Sequence, residues 1–207
     1  MLPYTQPPPY HAQWGEDRWL VEHLDPPTQG VFVDVGAGDG VYGSNTLYFE
    51  NVGWRGLCID ADPRNHEPLR RRRSTMDTCA VASTAGSRPF GMYAHKPSWS
   101  GLQRQGSDYR PILVECRPLE AVLNDWEVEQ IDLLSIDVEG TELEVWDSFD
   151  QERHQPSIVI IEFDDKQPDR SRTTIQDHLG RDAYSMIHET ASNLILQRTS
   201  RPWRRRA

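Results

Sequence analysis

Apolar residues in this chain fall into short unbroken runs, separated by stretches in which they recur every three or four positions. Val31–Val35, Leu57–Asp60, Ile131–Asp137 and Ser157–Ile161 read as buried strands, each four to seven residues long and apolar throughout or nearly so. Between them lie helical signals. Trp14, Leu20, Val21 and Leu24 share a helical spacing that Asp25-Pro26-Pro27 ends. Ser44 is placed to cap a helix through about Asn51, with Gly53 closing it, and Pro63 suits the first turn of a helix running to about Arg73. Further helices are predicted from Pro118 through Asn124, over Glu142–Trp146 and near Thr173–Leu179. A third strand is expected at Thr78–Val81, and a terminal pair at Ala183–His188 and Leu194–Arg198. Residues 83–115 are mixed, with short strands near Phe90–Ala94 and Ile112–Glu115. Strands alternating with helices predict an α/β fold: a mostly parallel central sheet, helices on both faces and a late antiparallel strand.

The 207 residues suit one domain. It is expected over 13–200, with an irregular proline-rich arm over 1–12 and a basic tail over 201–207. No apolar stretch approaches the ~20 residues of a membrane helix, and the N-terminus lacks the pattern of a signal peptide. With three unpatterned cysteines, Cys58, Cys79 and Cys116, this predicts a soluble cytoplasmic protein with buried free thiols. Net charge is −10, pI about 5.1 and mean hydropathy −0.69, a balance that disfavours a general nucleic-acid binder. Arg70–Arg73 and Arg204–Arg206 read as a solvated helix face and a frayed tail, with contact to an anionic partner as the alternative.

The most informative stretch is Asp34-Val35-Gly36-Ala37-Gly38-Asp39-Gly40, directly after the first strand. Glycines there make a tight turn that lets backbone approach a ligand. The dinucleotide pattern requires a third glycine where this chain has Val41, and Asp34 would repel a pyrophosphate. A cationic adenosine cofactor, S-adenosylmethionine, fits better. Asp60 closes the second strand 20 residues after Gly40, and its carboxylate can accept from both ribose hydroxyls; a helix N-cap ahead of Pro63 is the plainer alternative.

Ligands of open α/β sheets bind beyond the carboxyl ends of the strands. Asp137 and Glu139 lie at such an end and point to the same side of an extended chain, and Glu162 closes the next strand. Such acids can bind a divalent cation or hold a base and a substrate hydroxyl; charge capping of the following helix is the alternative. His95 and His188 are possible proton acceptors and Trp99 a possible sugar platform, although lone histidines and tryptophans are more often structural.

Taken together these residues resemble the FkbM-type methyltransferase family. The similarity is carried by Gln13-Trp14-Gly15-Glu16-Asp17, Val33–Gly40, Ser44-Asn45-Thr46 with Phe49-Glu50, Gly53–Asp60, Ile131–Gly140 and Ile160-Ile161-Glu162, and spans about residues 13–165. Leu134-Ser135-Ile136-Asp137-Val138-Glu139-Gly140 is its specific part. The resemblance implies a class I, Rossmann-like methyltransferase that uses S-adenosylmethionine, typically on a hydroxyl of a sugar, glycan or natural product. It implies that Asp34, Gly36, Ala37 and Gly38 line the methionine end of the cofactor, that Asp60 holds the ribose, that Cys79-Ala80-Val81 lies near the adenine, and that Ser44 and Asn45 lie near the loop. It further implies that Asp137, Glu139 and Glu162 bind Mg²⁺ or another divalent cation, or form an acid/base cluster. Gly38 and Asp60 stand where the family often has Asn and Glu, both mild departures. Methylation of protein or nucleic acid, or a non-catalytic cofactor-binding module, are the rival readings; a membrane partner is not expected, and oligomeric state is open.

Overall fold

A computed structural model describes residues 9–206, so most of the expected arm, residues 1–8, lies outside the described residues. In chain order the elements begin with α1 (Glu16–His23), β1 (Leu24–Asp25), β2 (Val31–Val35), α2 (Leu47–Asn51), β3 (Arg55–Ile59), α3 (Pro63–Arg72), β4 (Met76–Asp77) and β5 (Ala80–Val81). A long hairpin, β6 (Gly86–Tyr93) and β7 (Tyr109–Arg117), comes next, and α4 (Leu119–Asp125), β8 (Leu133–Ile136), α5 (Glu142–Trp146), α6 (Gln151–His154) and β9 (Ile158–Glu162) follow it. The chain continues through α7 (Arg172–Leu179), β10 (Tyr184–Glu189), β11 (Asn193–Arg198) and β12 (Arg204–Arg205).

Seven strands form the central sheet in the order β10-β11-β9-β8-β2-β3-β4. β9, β8, β2, β3 and β4 are parallel, and β11 runs antiparallel to both its neighbours. The expected α/β architecture with a late antiparallel strand is therefore present. Alternation along β2 divides the core: Val33 and Val35 face α4, α5 and α7, whereas Phe32 faces α1, α2 and α3. From β2 the chain winds one way to β3, and β8 lies on the other side. The carboxyl ends of β2 and β8 are thus the topological switch point where a crevice opens.

Three segments differ from the expectation. The strand expected at 78–81 is split: β4 ends the main sheet, and β5 joins a separate three-stranded sheet of order β5-β7-β6. The short strands expected in 83–115 are one hairpin of eight and nine residues. Pro89 and Gly91 break the apolar alternation of β6 and are tolerated because β6 is an edge strand. Residues 201–206 pack on the domain: Trp203 is buried beside Trp54 and Phe49, and β12 pairs antiparallel with β1. No helix among the described residues is long and apolar enough to cross a membrane. The three cysteines are free and buried, as expected.

Candidate functional site

A narrow cleft, about 50 Å³, lies over the carboxyl ends of β2, β3 and β8. Gly36 and Gly38 form one wall, Asp60, Ala61 and Asp62 the next, Cys79, Ala80 and Val81 a third, and Asp137, Val138 and Thr141 the far end. Phe90, Pro97, Ser98, Ser100 and Leu102 of the hairpin cover it. A larger groove, about 690 Å³, lies by Val31 and Arg55, the amino ends of β2 and β3, away from the glycine loop and the strand-end acids.

The glycine loop is locked to its neighbours by backbone. Gly36 and Ala37 both donate to the Ile59 carbonyl, at 2.9 and 3.1 Å. Gly36 has φ +87, and a Cβ there would stand 1.7 Å from the Asp137 carbonyl oxygen, so the ends of β2 and β8 meet only through a glycine. Gly38 donates to Asp60 Oδ2 at 2.8 Å, while Asp62 N and Asn65 Nδ2 donate to Asp60 Oδ1 at 2.9 and 3.0 Å. Burial nonetheless pushes the Asp60 carboxyl up to about 7. Asp60 therefore ties the loop to the end of β3 and also faces the cleft.

Asp34, Ser44 and Asn45 do not line this cleft. They form a buried polar layer under the loop, on the α1–α3 side of the sheet. Thr46 Oγ1 donates to Asp34 Oδ2 at 2.6 Å, Asn45 Nδ2 to Ser135 Oγ at 3.1 Å, and Leu47 N to Ser44 Oγ at 3.1 Å. The N-cap of α2 is Thr46 rather than the expected Ser44, whose Oγ, two residues farther back, instead accepts from the first N–H of the helix. Arg73 centres this layer. It is buried, with Nη1 donating to the Gly40 carbonyl and Ser44 Oγ, both at 3.1 Å, Nη2 to Thr46 Oγ1 at 2.9 Å, and Nε to Glu50. It also lies 3.9 Å from Asp34. Burial pushes the Asp34 carboxyl up, against the pull of Arg73 and Thr46. Ala37 is buried in the same layer.

Asp137, Glu139 and Glu162 come together as the sequence predicted. Each offers an oxygen within 4.8 Å of the others. Burial is the main cause that pushes all three carboxyls up; Glu139 adds to it at Asp137, Asp137 adds to it at Glu162, and Arg104 and Arg170 oppose it at Glu139. Glu139 is left-handed, with φ 61, a strained state for a non-glycine residue. Arg104 pairs with Glu139, and Arg170 with Glu162. Arg170 also grips Glu142, through Nε to Oε2 at 2.8 Å and Nη2 to Oε1 at 3.1 Å, and Glu142 Oε1 accepts from Gly140 N at 2.8 Å. Asp137 Oδ1 is buried with no partner among the described residues. Four carboxylates, Asp137, Glu139, Glu142 and Glu162, face two guanidiniums, which leaves two uncompensated charges when all are ionised. That charge and the orphaned oxygen fit a divalent cation held by Asp137, Glu139 and Glu162.

Sequence reasoning missed Arg73, Arg104, Arg170 and Glu142. Their partners are distant in the chain, so no local spacing marks them. His95 and His188 lie outside the cleft wall: His95 packs against Tyr93, and His188 stacks on Trp19. Trp99 is exposed, its ring against Tyr93, between cleft residues Ser98 and Ser100.

The sequence matches the family described as "Methyltransferase FkbM domain" over residues 34–182, well over half of the chain. The fold is similar to that of a putative rRNA-methylase from Clostridium thermocellum, at 7% identity over 92% of this chain and 97% of that one, with TM-score 0.50. A fibrillarin/Nop5p complex matches at 10% identity over 90% and 81%, TM-score 0.46. The C-terminal domain of precorrin-6Y C5,15-methyltransferase from Rhodobacter capsulatus matches at 13% identity over 90% and 85%, TM-score 0.42. No curated protein matches the sequence at a significant level. By family match and fold, the chain belongs to the FkbM family of S-adenosylmethionine-dependent methyltransferases.

Proposed function

We propose that the protein transfers the methyl group of S-adenosylmethionine to a hydroxyl of a sugar, glycan or natural product. One observation carries this reading: three carboxylates converge at the end of the cofactor cleft, and one of their oxygens, Asp137 Oδ1, is buried and unpartnered. A hydroxyl is a poor nucleophile until its proton has somewhere to go, and the Asp137 carboxyl, pushed up to about 8, holds a transferred proton better than an ordinary aspartate. A divalent cation at Asp137, Glu139 and Glu162 would supply a lowered hydroxyl pKa at the same place.

The chain's own residues divide the remaining work. Gly36 and Gly38 let backbone approach the methionine end, Asp60 accepts from the ribose hydroxyls, and Ala80 with Cys79, Val81 and Phe90 makes the apolar wall for the adenine. Asp34, Ala37, Ser44 and Asn45, expected at the cofactor itself, act from beneath by fixing the loop. Pro97, Ser98, Ser100 and Leu102 exclude water from the reacting end. A net charge of −10 weighs against a nucleic-acid acceptor.

The test is methyl transfer from labelled S-adenosylmethionine to a panel of glycosides and nucleotide sugars, with wild type, Asp137→Asn and EDTA-treated protein. Transfer to a hydroxyl that Asp137→Asn abolishes is expected. Full activity after EDTA treatment would remove the cation from the scheme, and full activity of Asp137→Asn would remove both cation and base.

A further inference from the structure

Glu139 is the one acid of the cluster whose backbone is left-handed, and its carboxylate is held from outside the central sheet. The holder, Arg104, belongs to the connection between β6 and β7, a segment with no pairing to the seven-stranded sheet. Three contacts deliver it. Gly91 of β6 and Gly101 exchange both backbone hydrogen bonds, at 2.9 and 3.2 Å. A Cβ at Gly91 would stand 2.0 Å from the Arg104 carbonyl oxygen, so the connection passes close over the strand only because that residue is glycine. A Cβ at Gly101 would stand 3.0 Å from the Val138 carbonyl oxygen and 3.2 Å from that of Glu139, which places the same connection directly on the acid loop. Farther back, Ser100 Oγ accepts from Arg64 Nη2 at 3.0 Å, and Arg64 grips Asp62 at the ribose side of the cleft.

The connection is therefore fixed at both ends of the cleft, and among the described residues Arg104 is its only ionic link to the acids. Among the described residues the Arg104 guanidinium has no hydrogen-bond partner besides Glu139, and its Nε is buried without one. We infer that Arg104 is a positioning residue: it holds the Glu139 carboxylate in the direction that completes the cation site with Asp137 and Glu162. This rests on the reading of those acids as a cation site. The groups facing Glu139 from the packed elements are Arg104, Arg170, Asp137, Glu142 and Glu162. Removing Arg104 thus has two opposing effects on a cation. The site becomes more negative, which tightens binding; Glu139 loses its orientation, which weakens it. Positioning is the claim that the second effect wins. Partners that orient ligating groups typically change metal affinity by about 10–100-fold.

The experiment is Mn²⁺ binding to the S-adenosylhomocysteine-loaded protein, read by electron paramagnetic resonance of free Mn²⁺, for wild type, Arg104→Met, Arg104→Lys and Gly101→Ala. Arg104→Met should weaken Mn²⁺ about tenfold or more while S-adenosylhomocysteine affinity stays within about twofold. Arg104→Lys, which keeps the charge and loses the fork, should recover part of the loss. Gly101→Ala changes no charge and pushes the connection off the acid loop, so it should weaken Mn²⁺ in the same direction; it also serves if Arg104→Met fails to fold. Equal or tighter Mn²⁺ binding by Arg104→Met, or a matching loss of S-adenosylhomocysteine, overturns the inference alone. Absence of Mn²⁺ binding by the wild type overturns the cation site and this inference with it.

Discussion

The two inner glycines of the loop make unequal demands, and the difference can be worked from geometry. Both are left-handed, Gly36 at φ +87 and Gly38 at φ +58. Alanine at either costs about 1 kcal/mol for the conformation alone. At Gly38 nothing lies within 4 Å of the new methyl group. At Gly36 it meets the Asp137 carbonyl oxygen at 1.7 Å and its carbon at 2.7 Å, so one backbone must move by more than an ångström. That motion strains the bonds joining the strand ends: Gly36 and Ala37 to the Ile59 carbonyl, and Asp137 N to the Val35 carbonyl. At about 1 kcal/mol net for each, Gly36→Ala should cost about 4 kcal/mol and Gly38→Ala about 1. For a chain of this length the difference corresponds to roughly 10 °C in Tm. Urea denaturation followed by circular dichroism gives the stabilities, and calorimetry with S-adenosylhomocysteine gives binding. Gly38→Ala should bind more weakly, because its methyl group enters the cleft, yet stay folded. Stabilities of the two variants within 1 kcal/mol of each other would refute the claim that the strand ends meet through Gly36.

Other outcomes follow from the same coordinates. Arg73→Met leaves Asp34 and Glu50 buried without their guanidinium and should cost about 3–5 kcal/mol in denaturant, whereas Arg70→Ala on the exposed face should change stability by less than about 0.5. The Asp60 carboxyl, near 7 when folded, lies above its ordinary range, so its protonated form favours the fold; that contribution is complete below about pH 4 and is lost as pH rises through 7. Stability of the ligand-free protein should therefore fall between about pH 4 and 7 and level off above 7, while S-adenosylhomocysteine, donating ribose hydroxyls to the ionised carboxylate, should bind more tightly as pH rises through 7 and release a proton below it; calorimetry in two buffers measures it, and Asp60→Asn should flatten the profile. Trp203→Ala should cost about 3 kcal/mol in denaturant, since the ring fills space between Phe49 and Trp54, and a neutral result would mean that the final residues are only loosely attached.

What the sequence revealed, and what it hid, follows from where each residue finds its partners. Val31–Gly40 and Ile131–Gly140 were legible because a buried parallel strand must be apolar throughout and must end in residues that serve the crevice. The carboxylate trio was legible because β8 and β9 are adjacent and their ends share one side. Arg73 was not. It is the last of four consecutive arginines, and Arg70–Arg72 are exposed as a solvated face should be. Only the return of the chain under the glycine loop, with Glu50 23 positions away in sequence, makes Arg73 different. Trp203 followed the same logic: a basic, proline-interrupted terminus carries no periodic signal, and its burial depends on the α2 surface. The full length of the β6–β7 hairpin was hidden because Pro89, Gly91 and Pro111 interrupt its alternation, leaving only its apolar centre legible as short strands.

In the proposed reaction, the arginines around the acids single out Asp137 as the member left to meet the cation or the substrate hydroxyl. Glu139 is held by Arg104, Glu142 by Arg170 at both oxygens, and Glu162 by Arg170. Each of these carboxylates has its orientation set by a guanidinium, with Arg170 shared between Glu142 and Glu162. Asp137 has no such partner, and its own position is set by backbone instead: its N–H bonds to Val35, and its carbonyl lies against Gly36. A carboxylate held rigidly by its main chain but left unpaired at its side chain gains most from an incoming cation or hydroxyl proton, because nothing has to be released first. Moving the negative charge to a neighbour would lose this. Glu139 and Glu162 would each have to loosen an ion pair to turn toward a cation, whereas Asp137 has none to give up among the described residues.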